Sequence, residues 1–406
     1  MKRIVSLFVL CLFACAAPAP RPELTSDRTK AAAGTHVVPE AAPWAAASAR
    51  FHDNGSWLGA DSAYSVDLDD THVLWLFADT FIDPSGDGTR ENGPNQFIRN
   101  SVGIQSGADR ARAHDLSQSE LRFYWTQAAA PGGTPSSFFR DIDGSERWVW
   151  PLHGARLPGG ELLLFRMRVG KESGGFGFRV ESWDAVAIDD PGAPPSAWQP
   201  RILGAPQQGY GKLLGSSVLI HGEHLYAYGV ENKGQGHAVY LARWPLSRLA
   251  RLPERALEDP EWWVERAFVA QSALPEGTQP SALFQEGQVE LSVHYEPERR
   301  RFVQLQVQGL FLSEAGTQLG MRTAPRPEGP WSALQPFFRP PESALPNAAD
   351  LIAYAAKVHP EQRGADLVLT YVVNDLKRFP PRDAVYYPQV LRLSYRALSA
   401  DAGVTD

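Results

Sequence analysis

Gly59-Ala60-Asp61-Ser62-Ala63-Tyr64-Ser65-Val66-Asp67-Leu68, then Asp69-Asp70-Thr71-His72, then Val73-Leu74-Trp75-Leu76-Phe77-Ala78-Asp79-Thr80, reads as strand, tight turn, strand. In an antiparallel hairpin the start of one strand lies beside the end of the next. Asp61 and Asp79 are therefore expected to meet at the open end, away from the turn. Two carboxyl groups held together are the minimum equipment for cleaving a glycosidic bond.

The same pattern recurs along the chain. Further strand pairs are expected at 152–157 with 161–169, 213–220 with 225–230, 289–295 with 301–307, and 353–359 with 366–373. Each pair is followed by a third strand candidate, at 101–105, 179–188, 238–243, 317–323 and 389–395. Long helical periodicity is scarce between 46 and 398; the only helical pieces expected are Pro245–Leu249 and Asp259–Arg266. Five units of strand, turn, strand, loop and strand predict an all-β, five-bladed β-propeller, with a two-layer sandwich as the alternative.

Propeller geometry says where function collects. First strands start, second strands end and third strands begin at one mouth of the central channel. That rule selects Asp61, Asp79, Arg99 and Asn100 from the first unit, and Trp148, Trp150 and Arg168 from the second. It selects Tyr210, Lys212, Glu231, Asn232 and His237 from the third, Glu290 and Gln306 from the fourth, and Tyr354 and Asn374 from the fifth. Acids, amides, cations and rings together suit sugars, which present apolar ring faces and many hydroxyls. Asp61 and Asp79 are the expected catalytic pair; Arg99, Asn100, Trp150, Glu231, Glu290 and Asn374 are expected to bind substrate. Each has a structural alternative: turn caps for the aspartates, a buried ion pair for Glu290, packing between sheets for the tryptophans.

The first 15 residues carry their own information. Met1-Lys2-Arg3 precedes an apolar run, Ile4 to Ala14, too short to span a bilayer. It ends in Leu12-Phe13-Ala14-Cys15, which resembles a bacterial lipobox with Cys15 as the lipidated residue. Residues 1–15 are therefore expected to be a lipoprotein signal, 16–45 a flexible tether, 46–398 the folded domain and 399–406 a polar tail. The implied location is the cell envelope, anchored by lipid to the outer membrane, or secretion if cleavage is ordinary. Both cysteines, Cys11 and Cys15, lie in the leader, so the body has no internal disulfide and no thiolate metal ligands. A formal charge of −7 argues against nucleic acid and anionic lipid as partners, leaving the lipid anchor as the only membrane contact. No metal is expected: the 10 histidines lack ligand spacing, and Asp83–Asn92 lacks the register and closing Glu of a calcium loop. No cofactor is expected either, and the body is read as a monomer.

Taken together, the 59–80 stretch, Arg99-Asn100-Ser101, Val289 to Tyr295, Ala324 to Trp331 and Tyr371-Val372-Val373-Asn374 resemble the bacterial propeller family that contains mycobacterial-type endo-D-arabinanases. The resemblance spans about residues 52–396, with Ala78 where that family often has Gly. It implies a five-bladed propeller hydrolysing a polysaccharide, arabinan among the substrates, with Asp61 and Asp79 carried over as the acids. A non-catalytic surface protein that binds carbohydrate is the alternative, and a structural scaffold a third.

Overall fold

The computed structural model describes residues 37–397 apart from 53–54, 87, 92–95, 128–132, 141–145, 174–176, 205–209, 232–236 and 363–365; for 37–39 and 395–397 it describes the backbone alone. The leader with Cys15, most of the expected tether and the 399–406 tail lie outside the described residues.

The protein is mostly β. Sheet I is Tyr64–Asp69, His72–Phe77, Ser101–Ser106 and Glu120–Tyr124. Sheet II is Arg147–Arg156, Leu162–Lys171, Phe178–Ile188 and Arg201–Leu203. Sheet III is Lys212–His221, His224–Glu231, His237–Pro245, Glu261–Val264 and Ala267–Ala270, with Phe284–Gly287 paired to its third strand. Sheet IV is Ser292–Glu296, Arg301–Gln308, Gln318–Ala324 and Gln335–Phe338. Sheet V is Leu351–His359, Leu367–Asp375, Pro388–Ala397 and, outermost, Val37–Pro43. The described strand pairings are antiparallel throughout.

The second strands are nearly continuous apolar runs because both faces are covered. Val73 to Phe77 is buried at every position, as is Leu162 to Met167. The first strands contact one another in sequence: I beside II, II beside III, III beside IV, IV beside V, and V beside I. Hydrogen bonds run the whole circuit. His153 of sheet II bridges the Ser65 carbonyl (3.0 Å) and the Val218 N–H (2.9 Å). Ser217 accepts from the Val293 N–H (2.8 Å), and Ser292 from the Val358 N–H (2.9 Å). Ser65 meets His359 Nδ1 at 2.5 Å, which closes the loop. Register is irregular at 151–154, 214–217 and 354–357, and the first of these releases His153 from its own ladder.

Two expectations are corrected. The tether was expected to run to residue 45, yet Val37–Pro43 pairs along its length with Pro388–Ala397. An edge strand is held by main-chain bonds, so its poor apolar content did not reveal it. Asp259–Arg266 was expected to be helical; instead Glu261–Val264 is a strand hydrogen-bonded to the third strand of sheet III. Trp262 is fully buried there, and tertiary packing overrides weak local periodicity.

Near sheets V and I, Glu361 accepts from the Ser65 hydroxyl, and burial pushes its carboxyl up to about 7. The folded state therefore holds a proton that the unfolded chain releases near 4.5. This contribution to stability is present below pH 4.5 and is lost as pH rises through about 7. Glu361→Gln should remove it. Urea denaturation at pH 4.5 and pH 8 should show the variant gaining up to about 3 kcal/mol on wild type across that interval. Parallel pH dependences would contradict the account.

Candidate active site

Asp61 follows Trp57–Ala60, a short strand that pairs with Thr80–Ile82, the segment directly after Asp79. The Asp61 carbonyl accepts N–H bonds from Ala63 (3.0 Å) and Ala78 (3.3 Å), which ties the two strand ends together. Both aspartates line one cleft, with Trp150, Gln288, Glu290 and Tyr354. Both carboxyls are deeply placed, with Asp61 7% exposed and Asp79 2%.

The two acids have different surroundings. Asp61 Oδ2 accepts the Tyr354 hydroxyl at 2.9 Å. Burial holds the Asp61 carboxyl well above the usual carboxylate range, and the negative charges of Asp79 and Glu290 add to this; hydrogen bonding from Tyr354 and Tyr386 pulls the other way. Asp79 Oδ1 accepts the Trp150 indole N–H at 2.8 Å and lies 3.6 Å from the Arg99 guanidinium. Both neighbours turn hydrogen-bond donors toward it. The Tyr386 hydroxyl donates to the Asp79 carbonyl at 3.0 Å.

A third acid completes the cleft. Glu290 pairs with Lys357 at 3.4 Å, and Lys357 Nζ lies 4.3 Å from the Tyr64 ring centre. Burial lowers the Lys357 pKa, while Glu290 and Asp61 raise it. Among the described residues, no group of three or more His, Cys, Asp or Glu side chains is arranged to hold a metal ion.

Positive-φ backbone occurs beside the acids. Ser62 (φ 68°) and Ala63 (φ 51°) follow Asp61, Ala355 (φ 56°) follows Tyr354, and Tyr386 itself has φ 66°. Such conformations cost about 1–3 kcal/mol each and persist where the surroundings enforce them. Gly59 (φ 111°) allows a close approach: a Cβ there would fall 2.3 Å from the Tyr386 carbonyl oxygen. Buried Arg90 donates to the carbonyls of Leu58 and Val385, binding the Asp61 segment to the Tyr386 segment.

Asp61, Asp79, Trp150 and Glu290 thus come together, with Arg99 beside Asp79. Four expected substrate contacts do not line the cleft: Arg99, which lies beside Asp79, and Asn100, Glu231 and Asn374. Asn100 is fully buried, and its amide is engaged on Phe139 N–H (2.7 Å), Phe139 O (3.1 Å) and Val149 O (3.0 Å), so it anchors the Trp150 strand. Glu231 pairs with Lys212 across its own hairpin at 3.0 Å. Asn374 is buried opposite Ile352. Asn232 lies outside the described residues. Sequence reasoning missed Tyr386, Lys357, Tyr64 and Arg90.

Fold and site define a mostly-β protein whose ring of antiparallel sheets carries an acid-lined cleft. The chain belongs to the family described as a domain of unknown function (DUF5005), whose model matches residues 49–393. Among solved structures it is similar to a candidate hydrolase from Bacteroides ovatus (16% identity, TM-score 0.66, covering 87% of this chain and 90% of that one). It is more distantly similar to an α-L-arabinofuranosidase from Lactobacillus brevis (13%, TM-score 0.46, 85% and 93%) and an endo-arabinase from Bacteroides thetaiotaomicron (13%, TM-score 0.40, 87% and 99%). At these identities the likeness concerns the fold. No curated protein matches the chain.

Proposed function

We propose that this protein is a glycoside hydrolase that cleaves a polysaccharide, arabinan being the first to test, on a five-bladed β-propeller. The ring of five first strands and its circuit of hydrogen bonds support the propeller over a two-layer sandwich. One observation carries the activity: a carboxyl environment that holds a proton (Asp61) and one built of donors (Asp79) share a single cleft. The contrast between the two surroundings points to Asp61 as the proton donor. Asp61 is the general acid, giving its proton to the departing glycosidic oxygen. Asp79 attacks the anomeric carbon or activates water there, and Glu290, its charge balanced by Lys357, lines the cleft beside them. The lipobox-like Leu12 to Cys15 supports export of the protein and anchoring in the envelope through Cys15.

The test incubates purified protein with debranched arabinan, arabinogalactan and xylan. New reducing ends, with falling polymer length, are expected from at least one. Binding without product would leave a carbohydrate-binding protein and overturn the hydrolase.

A further inference from the structure

A line of aromatic groups leads out of the cleft from Asp79. Trp150, bonded to Asp79, meets Trp148 edge-on at 5.9 Å. The Arg99 guanidinium lies 4.0 Å from the Trp148 ring and 5.0 Å from Phe97. Phe97 meets Phe379 at 5.5 Å, and Phe379 is 45% exposed, a rare degree for a large apolar side chain in this molecule. Phe81, fully buried, packs under both rings at 5.2 and 5.5 Å and fixes them.

A second observation points to a ligand. Trp148 is 5% exposed, and its indole N–H has no hydrogen-bond partner. A buried indole N–H ordinarily finds an acceptor. The Arg99 guanidinium lies over this ring and can donate to a hydroxyl bound beside it.

The electrostatics choose the ligand. Arg99 already faces Asp79, and the neighbouring Arg378 is paired with Glu91 at 2.7 Å. No cation in this group is left to neutralise an anion. Ring faces with a few donors suit a neutral sugar.

We propose that Phe97, Arg99, Trp148 and Phe379 form a subsite for a neutral sugar unit of a polysaccharide, running outward from beside Asp79 to Phe379. The proposal rests on the glycan reading of the cleft. It means that the protein engages long chains more tightly than short ones, because only a long chain covers both places.

The experiment is affinity electrophoresis of the full protein in gels containing debranched arabinan, arabinogalactan or xylan, alongside hydrolysis of trisaccharides of the same sugars. Wild type should be retarded in at least one gel. Phe379→Ala should bind that polymer about tenfold more weakly, with trisaccharide hydrolysis and melting temperature unchanged. Phe379→Trp should restore retardation. Equal retardation of wild type and Phe379→Ala overturns the subsite, and so does a wild type retarded in none of the gels. Failure of the cleft reading looks different: trisaccharide hydrolysis is then absent, or is untouched by Asp61→Asn.

Discussion

Asp61→Asn should lower kcat on the responsive glycan by about 10²–10⁴-fold while leaving the fold intact. Asparagine keeps the size of the side chain and an oxygen for the Tyr354 hydroxyl. It removes the proton that the leaving group needs. A nitrophenyl glycoside, whose leaving group departs without protonation, should recover most of the loss; a merely structural defect would slow both substrates equally. The pH profile follows from the same residue. With the Asp61 carboxyl held above its usual range, wild-type activity should fall on the alkaline side as that proton is lost, and the variant should lack this limb. The substitution should not cost stability as it costs activity. A carboxyl whose folded pKa is raised stabilises below its unfolded value of 3.8, and that contribution is lost as pH rises through the folded pKa. At neutral pH the Asn variant should therefore melt at or above the wild-type temperature. Full hydrolysis by Asp61→Asn would remove the proposed acid.

The hairpins, and the meeting of Asp61 with Asp79, were legible because both follow from period-two patterning and antiparallel pairing. The mouth rule reached Glu290 and Tyr354 for the same reason. Its excess choices, Asn100, Glu231 and Asn374, show its limit: it finds which end of a strand a residue occupies, and not whether the side chain is engaged with backbone or cation, as for Asn100 and Glu231, or buried in the sheet, as for Asn374. Lys357 was hidden differently. The ladder shifts register between Tyr354 and Lys357, so strict alternation counted from Tyr354 misplaces it. The strand Val37–Pro43 was hidden because its partner lies at the other end of the chain, where no local pattern reports it. Arg90 and Tyr386 lie outside the regular strands, and only the folded contact, 296 residues apart in sequence, gives either a meaning.

That contact sets the second large effect: Arg90→Met should destabilise the protein by at least about 3 kcal/mol and reduce activity with it. The Arg90 side chain is fully buried. Its fork donates to the carbonyls of Leu58 and Val385, and to that of Arg382 at 2.6 Å, while the guanidinium stacks 4.6 Å from the Tyr387 ring. Methionine fills similar volume and supplies no donor, so these carbonyls lose their partner inside the protein, at about 1–3 kcal/mol for each left unsatisfied. Lysine keeps the charge but not the planar fork, so Arg90→Lys should fall between Met and wild type. The loss should reach the cleft because Leu58 lies three residues before Asp61, and Val385 directly precedes Tyr386, whose hydroxyl holds the Asp79 carbonyl. Gly59 sits at the same seam, with no room for a Cβ against the Tyr386 carbonyl, so the segments cannot shift closer to compensate. Chemical denaturation of the three proteins at pH 7 measures the order. An Arg90→Met variant within about 0.5 kcal/mol of wild type, the range of ordinary surface changes, would show that the guanidinium does not brace the cleft.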